Sequence, residues 1–116
     1  MQMTVTITDH TKPARNLYDL ATNGSGTGYT VVGGLSPLNI GASVCYLSIQ
    51  ASYGNSSTII YKGNASVAND GSAQEKEMQA GDVDVQQAVQ FSVSLNEIYV
   101  RASADNGKFN VESHHG

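Results

Sequence analysis

Apolar and polar residues alternate with a period of two along much of this chain, the pattern that sends successive side chains to opposite faces of a half-buried strand. Met3, Val5 and Ile7 interleave with Thr4, Thr6 and Thr8, and Cys45, Leu47, Ile49 and Ala51 with Tyr46, Ser48 and Gln50. Val89, Phe91, Val93 and Leu95 alternate with Gln90, Ser92 and Ser94, then Ile98, Val100 and Ala102 with Tyr99, Arg101 and Ser103. Phe109 and Val111 repeat the pattern near the end. Shorter runs at Tyr29 to Val32, Thr58 to Lys62 and Asp82 to Gln86 read as further strands, giving roughly seven to nine in all.

The punctuation agrees. Gly54-Asn55, Gly63-Asn64, Asp70-Gly71, Gly81-Asp82 and Asn106-Gly107 are dipeptides suited to tight turns, and Asn106-Gly107, between two alternating runs, predicts a hairpin. A helix is expected only at Arg15 to Thr22, where Leu17, Leu20 and Ala21 share a face and Gly24 offers a stop. Asn23 to Gly28 reads as a flexible tract, Gly33 to Gly41 as an irregular link, and Asn64 to Ala80 as a long exposed polar loop. Many short strands around one core predict a single all-β domain over residues 1–116, an antiparallel β-sandwich with jelly-roll or Greek-key wiring and one short helix near the N-terminus.

Composition changes the picture in one respect. The 116 residues are 40% hydrophobic but only 14% charged, against roughly 25% charged in an average soluble protein. A surface so poor in charge fits either extensive contact with other protein or a monomer coated with Ser, Thr, Asn and Gln. The net charge of -4, with six Lys and Arg in no stripe, disfavours nucleic acid. No stretch approaches the ~18 apolar residues of a membrane helix, and the start lacks the layout of a signal peptide. Cys45 is the only cysteine, so no internal disulfide is available and a reducing compartment is expected.

Little catalytic chemistry is legible. The run Gly24-Ser25-Gly26-Thr27-Gly28 lacks the Gly-Lys-Ser/Thr ending and the following helix of a phosphate cradle, so a loop is expected. Asp82 and Asp84 share a strand face and could hold a divalent cation with Asp70 or Glu75, but further oxygen ligands at defined spacing are missing, so a solvated face is expected. His114 and His115, adjacent near the terminus, read as a solvated tail, and His10 has no nucleophile to serve. Cys45 is expected to be a buried small hydrophobe. The sequons at Asn23, Asn55 and Asn64 read as accidental without a signal peptide. No catalytic, cofactor or metal site is therefore expected, and the chain reads as a non-enzyme.

Six tyrosines and no tryptophan weaken a sugar-stacking platform, although Tyr46, Tyr53, Tyr61 and Tyr99 remain available. Tyr46, Tyr99 and Arg101 lie opposite the apolar faces of their strands and form the candidate protein interface, with ordinary cross-strand pairing on a solvated sheet as the alternative.

The order of segments, RNLYDLA at Arg15 to Ala21, then YLSIQA and IIYKG within Cys45 to Asn64, then AGD and EIYVRAS, resembles that of small tailed-bacteriophage virion structural proteins of the head decoration or cement type. The likeness spans the larger part of the chain as a strand-and-turn pattern without a chemical signature, and this chain departs from it in the polar stretch Ser66 to Gln79. The resemblance implies a protein made in the host cytoplasm that sits on the capsid surface of the virion. There it would bind major capsid proteins as a homo-oligomer, with a trimer favoured. A carbohydrate- or receptor-binding module of a phage fibre is the competing expectation.

Overall fold

The computed structural model describes residues 1–34, 42–87 and 93–114. Its strands are β1 (Gln2–Ile7), β2 (Arg15–Asn16), β3 (Tyr29–Gly33), β4 (Ser43–Val44), β5 (Tyr46–Ala51) and β6 (Ile60–Gly63). They continue with β7 (Gln74–Met78), β8 (Val83–Gln87), β9 (Val93–Ser94), β10 (Tyr99–Ala102) and β11 (Gly107–His114), and one helix, α1 (Leu17–Asn23), lies between β2 and β3.

Eight of the strands wind as a jelly roll. β1, β11, β5 and β8 lie side by side in one sheet and β2, β10, β6 and β7 in the other. The chain thus behaves as one long folded hairpin, in which β1 pairs with β11, β2 with β10, β5 with β8 and β6 with β7, all antiparallel. β3 extends the first sheet beyond β1, and β4 and β9 form a separate ladder. The all-β sandwich expected from alternation is the fold observed, and of the two wirings expected, jelly roll or Greek key, the strand order is that of the jelly roll.

The inward rows show why these residues form strands. In the first sheet Val31, Val5, Phe109 and Ala51 lie in register, and beside them Met3, Val111 and Ile49. Against them pack Ile60, Met78, Val100 and Ala102 of the second sheet, all within the same buried cluster. Burying both inner faces removes from water the apolar area that drives folding. Tyr29 donates from its Oη to the Val100 carbonyl across the gap at 2.6 Å, and burial pushes its hydroxyl pKa up.

α1 starts two residues later than the sequence predicts, because Arg15 and Asn16 pair with Val100 and Tyr99 as β2. Asn16 then caps the helix, its side chain accepting from the Asp19 N–H at 2.7 Å and satisfying one of the orphan donors of the first turn. Arg15 Nε donates to Asp19 at 2.5 Å and holds that carboxyl below its usual range. Leu17, Leu20 and Ala21 are buried, as their spacing predicts.

Other expectations are corrected. Asn106 does take a left-handed conformation, φ 69°, but Asn106-Gly107 joins no hairpin. β10 belongs to the second sheet and β11 to the first, so the turn carries the chain across the sandwich. The polar stretch 64–80 is no simple exposed loop, since Gln74–Met78 forms edge strand β7 against β6 and Met78 is fully buried. Residues 64–73 fold back over the outer face of the second sheet, where Val67 is buried and a side chain at Gly63 would meet it at 3.0 Å. Cys45 falls in the break between β4 and β5 and is only half-buried; its Sγ–H donates to the His114 carbonyl at 3.2 Å. Leu95 is buried as expected but opens a 3-10 turn, Leu95–Glu97, after β9. Val89 and Phe91 lie outside the described residues, as do Pro37 and His115.

Candidate binding surfaces

The first sheet presents an open outer face. Its outward rows run across the strands as Val32, Thr4, Asn110, Gln50 and Val83, then as Gln2, Glu112, Ser48 and Val85. Hydroxyl, amide and carboxylate ends therefore fill the middle of the face, and valines occupy both margins. A cavity of about 340 Å³ opens there, lined by Gln2, Thr4, Ser48, Gln50, Asn110 and Glu112 with Val32 at one side. Thr4 Oγ1 donates to Asn110 Oδ1 at 2.7 Å, which leaves the Asn110 amide N–H groups to point elsewhere. Glu112 Oε1 lies 3.1 Å from His114 Nε2.

One margin of this sheet is apolar to an unusual degree. β8 is an edge strand, and its outward residues Val83 and Val85 are 48% and 51% exposed. Tyr53, 80% exposed, stands near the start of this strand on the 3-10 turn Tyr53–Asn55, its ring packed on Gly81, where an added Cβ would approach it to 2.6 Å. Three of the four large exposed hydrophobics among the described residues thus line one edge. The edge strand of the other sheet differs: β7 carries Glu75, Lys76 and Glu77, the charges by which sheet edges resist pairing.

The three residues expected to form one interface are not brought together. Tyr46 projects from the outer face of the first sheet, its ring 5.4 Å from that of His114. Tyr99 and Arg101 project from the second sheet, on the opposite side of the sandwich. Arg101 is engaged within the chain, donating from Nη2 to the His10 carbonyl at 2.9 Å, a carbonyl that also accepts from Asn69 Nδ2 at 3.2 Å. Tyr61, in register with Arg101, is buried under the loop at Gly71. Alternation shows that a side chain points outward; it does not show from which sheet.

Two polar clusters escape sequence reasoning. His10 is not alone: its Nδ1 lies 2.6 Å from Asp105 Oδ1, which also accepts from the His10 N–H at 2.9 Å. These hydrogen bonds from His10 hold the Asp105 carboxyl below its usual range, and Asp9 is lowered likewise by the Thr11 hydroxyl and N–H. The arrangement ties the loop after β1 to the turn before β11. The second cluster is Lys62 Nζ and Asp84 Oδ2, 2.5 Å apart. Asp84 does not join Asp82 on a solvated face; it continues the inward row of Met3, Val111 and Ile49 and meets Lys62, which shares the inner side of β6 with Ile60 and is 4% exposed. The parity of Ile60 and Lys62 in the sequence already placed that lysine inside.

Of the sequons, Asn55 is buried and used structurally. Its side chain donates to the Lys108 carbonyl at 2.8 Å and accepts from the Lys108 N–H at 2.9 Å. No protein-family model, curated protein or solved structure matches this chain.

Proposed function

We propose that this chain is a non-enzymatic capsid decoration or cement protein, which binds the outer surface of an assembled phage head and stabilises contacts between major capsid proteins. The observation that carries the reading is the β8 margin, where Val83 and Val85 are exposed on an edge strand that bears no outward charge and Tyr53 is exposed on the turn packed against Gly81, just before that strand. Contiguous exposed apolar groups mark contact surfaces, and an unguarded edge offers backbone N–H and C=O groups for strand addition. The low charge of the chain and the resemblance in segment order support the same conclusion. A homotrimer would multiply modest contacts of this kind through effective concentration, so firm adhesion needs no single strong site.

Purified chain mixed with assembled heads is expected to co-sediment with them. Val85→Lys, a surface change of little consequence for folding, is expected to weaken that binding by about tenfold or more, because a desolvated lysine replaces an apolar contact on the edge. Unchanged co-sedimentation of a folded Val85→Lys variant would remove the β8 margin from the account.

A further inference from the structure

The cavity on the outer face of the first sheet has a chemistry unlike that of the β8 margin. Its lining side chains come from β1, β5 and β11, with Val32 of β3 at one side, neighbouring strands whose register is fixed by continuous ladders. Gln2, Thr4, Ser48, Gln50 and Asn110 end in neutral groups that both donate and accept hydrogen bonds, and Glu112 is the one charged member of the lining. Among the described residues no hydrogen bond engages the side chains of Gln2, Ser48 or Gln50.

We propose that this groove binds an oligosaccharide built of neutral sugars. A sugar ring presents closely spaced hydroxyls, each a donor and an acceptor, and the groove supplies neutral donor–acceptor groups at strand spacing, ~5 Å across the sheet and ~7 Å along it. The volume of about 340 Å³ lies at the lower end of the range for small-ligand sites, about 300–1,000 Å³. Val32, 68% exposed at the groove side, offers an apolar flank to the C–H face of a ring, and Tyr46 stands one row further along the same outer face. An anionic ligand is disfavoured, since Glu112 sits in the lining and no lysine or arginine does. A peptide strand is disfavoured too, because the backbone groups beneath the groove are already paired within the sheet. The carbohydrate ligand that exposed tyrosines suggested is thus carried mainly by amides and hydroxyls. The groove and the proposed capsid contact adjoin on the outer face of the first sheet, Val83 and Val85 standing in register with Gln50 and Ser48, but they rest on different side chains and are tested by different measurements.

The test is a printed array of neutral, sialylated and sulfated oligosaccharides probed with the purified chain, followed by titration of the best neutral sugar with amide chemical shifts as readout. Binding to neutral oligosaccharides is expected, with shifts at Thr4, Ser48, Gln50 and Asn110. Gln50→Ala and Asn110→Ala are each expected to weaken it by about fivefold or more, the loss of one or two ligand hydrogen bonds, while the melting temperature stays near that of the parent. Glu75→Ala, on the edge of the other sheet, should leave it unchanged. No binding to any neutral oligosaccharide by the folded chain would overturn the proposal. So would binding confined to acidic sugars, or binding that both groove variants leave intact; none of these results bears on binding to heads.

Discussion

Phe109→Ala is expected to lower the stability of the fold by about 3–5 kcal/mol, the range for deleting a buried aromatic ring and leaving a cavity. Phe109 is the largest of the fully buried side chains among the described residues and lies on β11, the central strand of the first sheet, between Val5 of β1 and Ala51 of β5. Neither flanking residue is large enough to fill the space by changing rotamer, so the cavity would collapse only partly. A domain of this size typically has about 5–15 kcal/mol of net stability, so the variant would lose a large share of it. Urea titration should show a strongly reduced midpoint at unchanged slope, whereas Val32→Ala, at an exposed position, should shift it little. A loss under about 1 kcal/mol for Phe109→Ala would mean that the ring does not fill the space between the sheets.

Lys62→Met is expected to cost about 2–4 kcal/mol, because it removes the partner of a carboxylate that the fold turns inward. The side chains of Lys62 and Asp84 are 6% and 18% exposed and meet across the gap between β6 and β8. Their hydrogen bond offsets the desolvation of both charges, and methionine would leave Asp84 with that desolvation uncompensated. Replacing both residues, Lys62→Met with Asp84→Leu, is expected to recover most or all of the loss, since a well-packed apolar pair often equals a buried ion pair. The double-mutant cycle measures this directly. Additive losses in the double variant would show that the two charges do not act as a pair.

The inner faces of the sandwich were legible in the sequence because period-two alternation is a direct imprint of one buried face, as in Met3-Val5-Ile7 and Leu47-Ile49-Ala51. β7 was hidden for the same reason. Of its five residues only Met78 is buried, so Gln74 to Glu77 carry no alternation and resemble a loop. The short strand β2 is held by pairing with β10 and not by any local pattern, so the residues before α1 looked like the start of the helix. Asn106-Gly107 announced a reversal of direction, which is local chemistry, but the sheet that receives the next strand is decided by packing.

The surfaces were less legible. Val83 and Val85 mark β8 as a strand from their spacing alone, yet their exposure follows from Asp84 turning inward to Lys62, a contact between residues of different sheets. The groove is assembled from β1, β5 and β11, whose adjacency is set by jelly-roll winding. Tyr46 and Tyr99 were equally outward in the sequence and stand on opposite sides of the molecule.

The proposed adhesion to a viral shell can be checked by cryo-electron microscopy of purified heads together with mass spectrometry of their proteins. The chain is expected in fixed ratio to the major capsid protein, with jelly-roll density on the outer surface and its β8 margin against the shell. Absence of the chain from the particles, together with a monomer in solution that does not bind added heads, would contradict it.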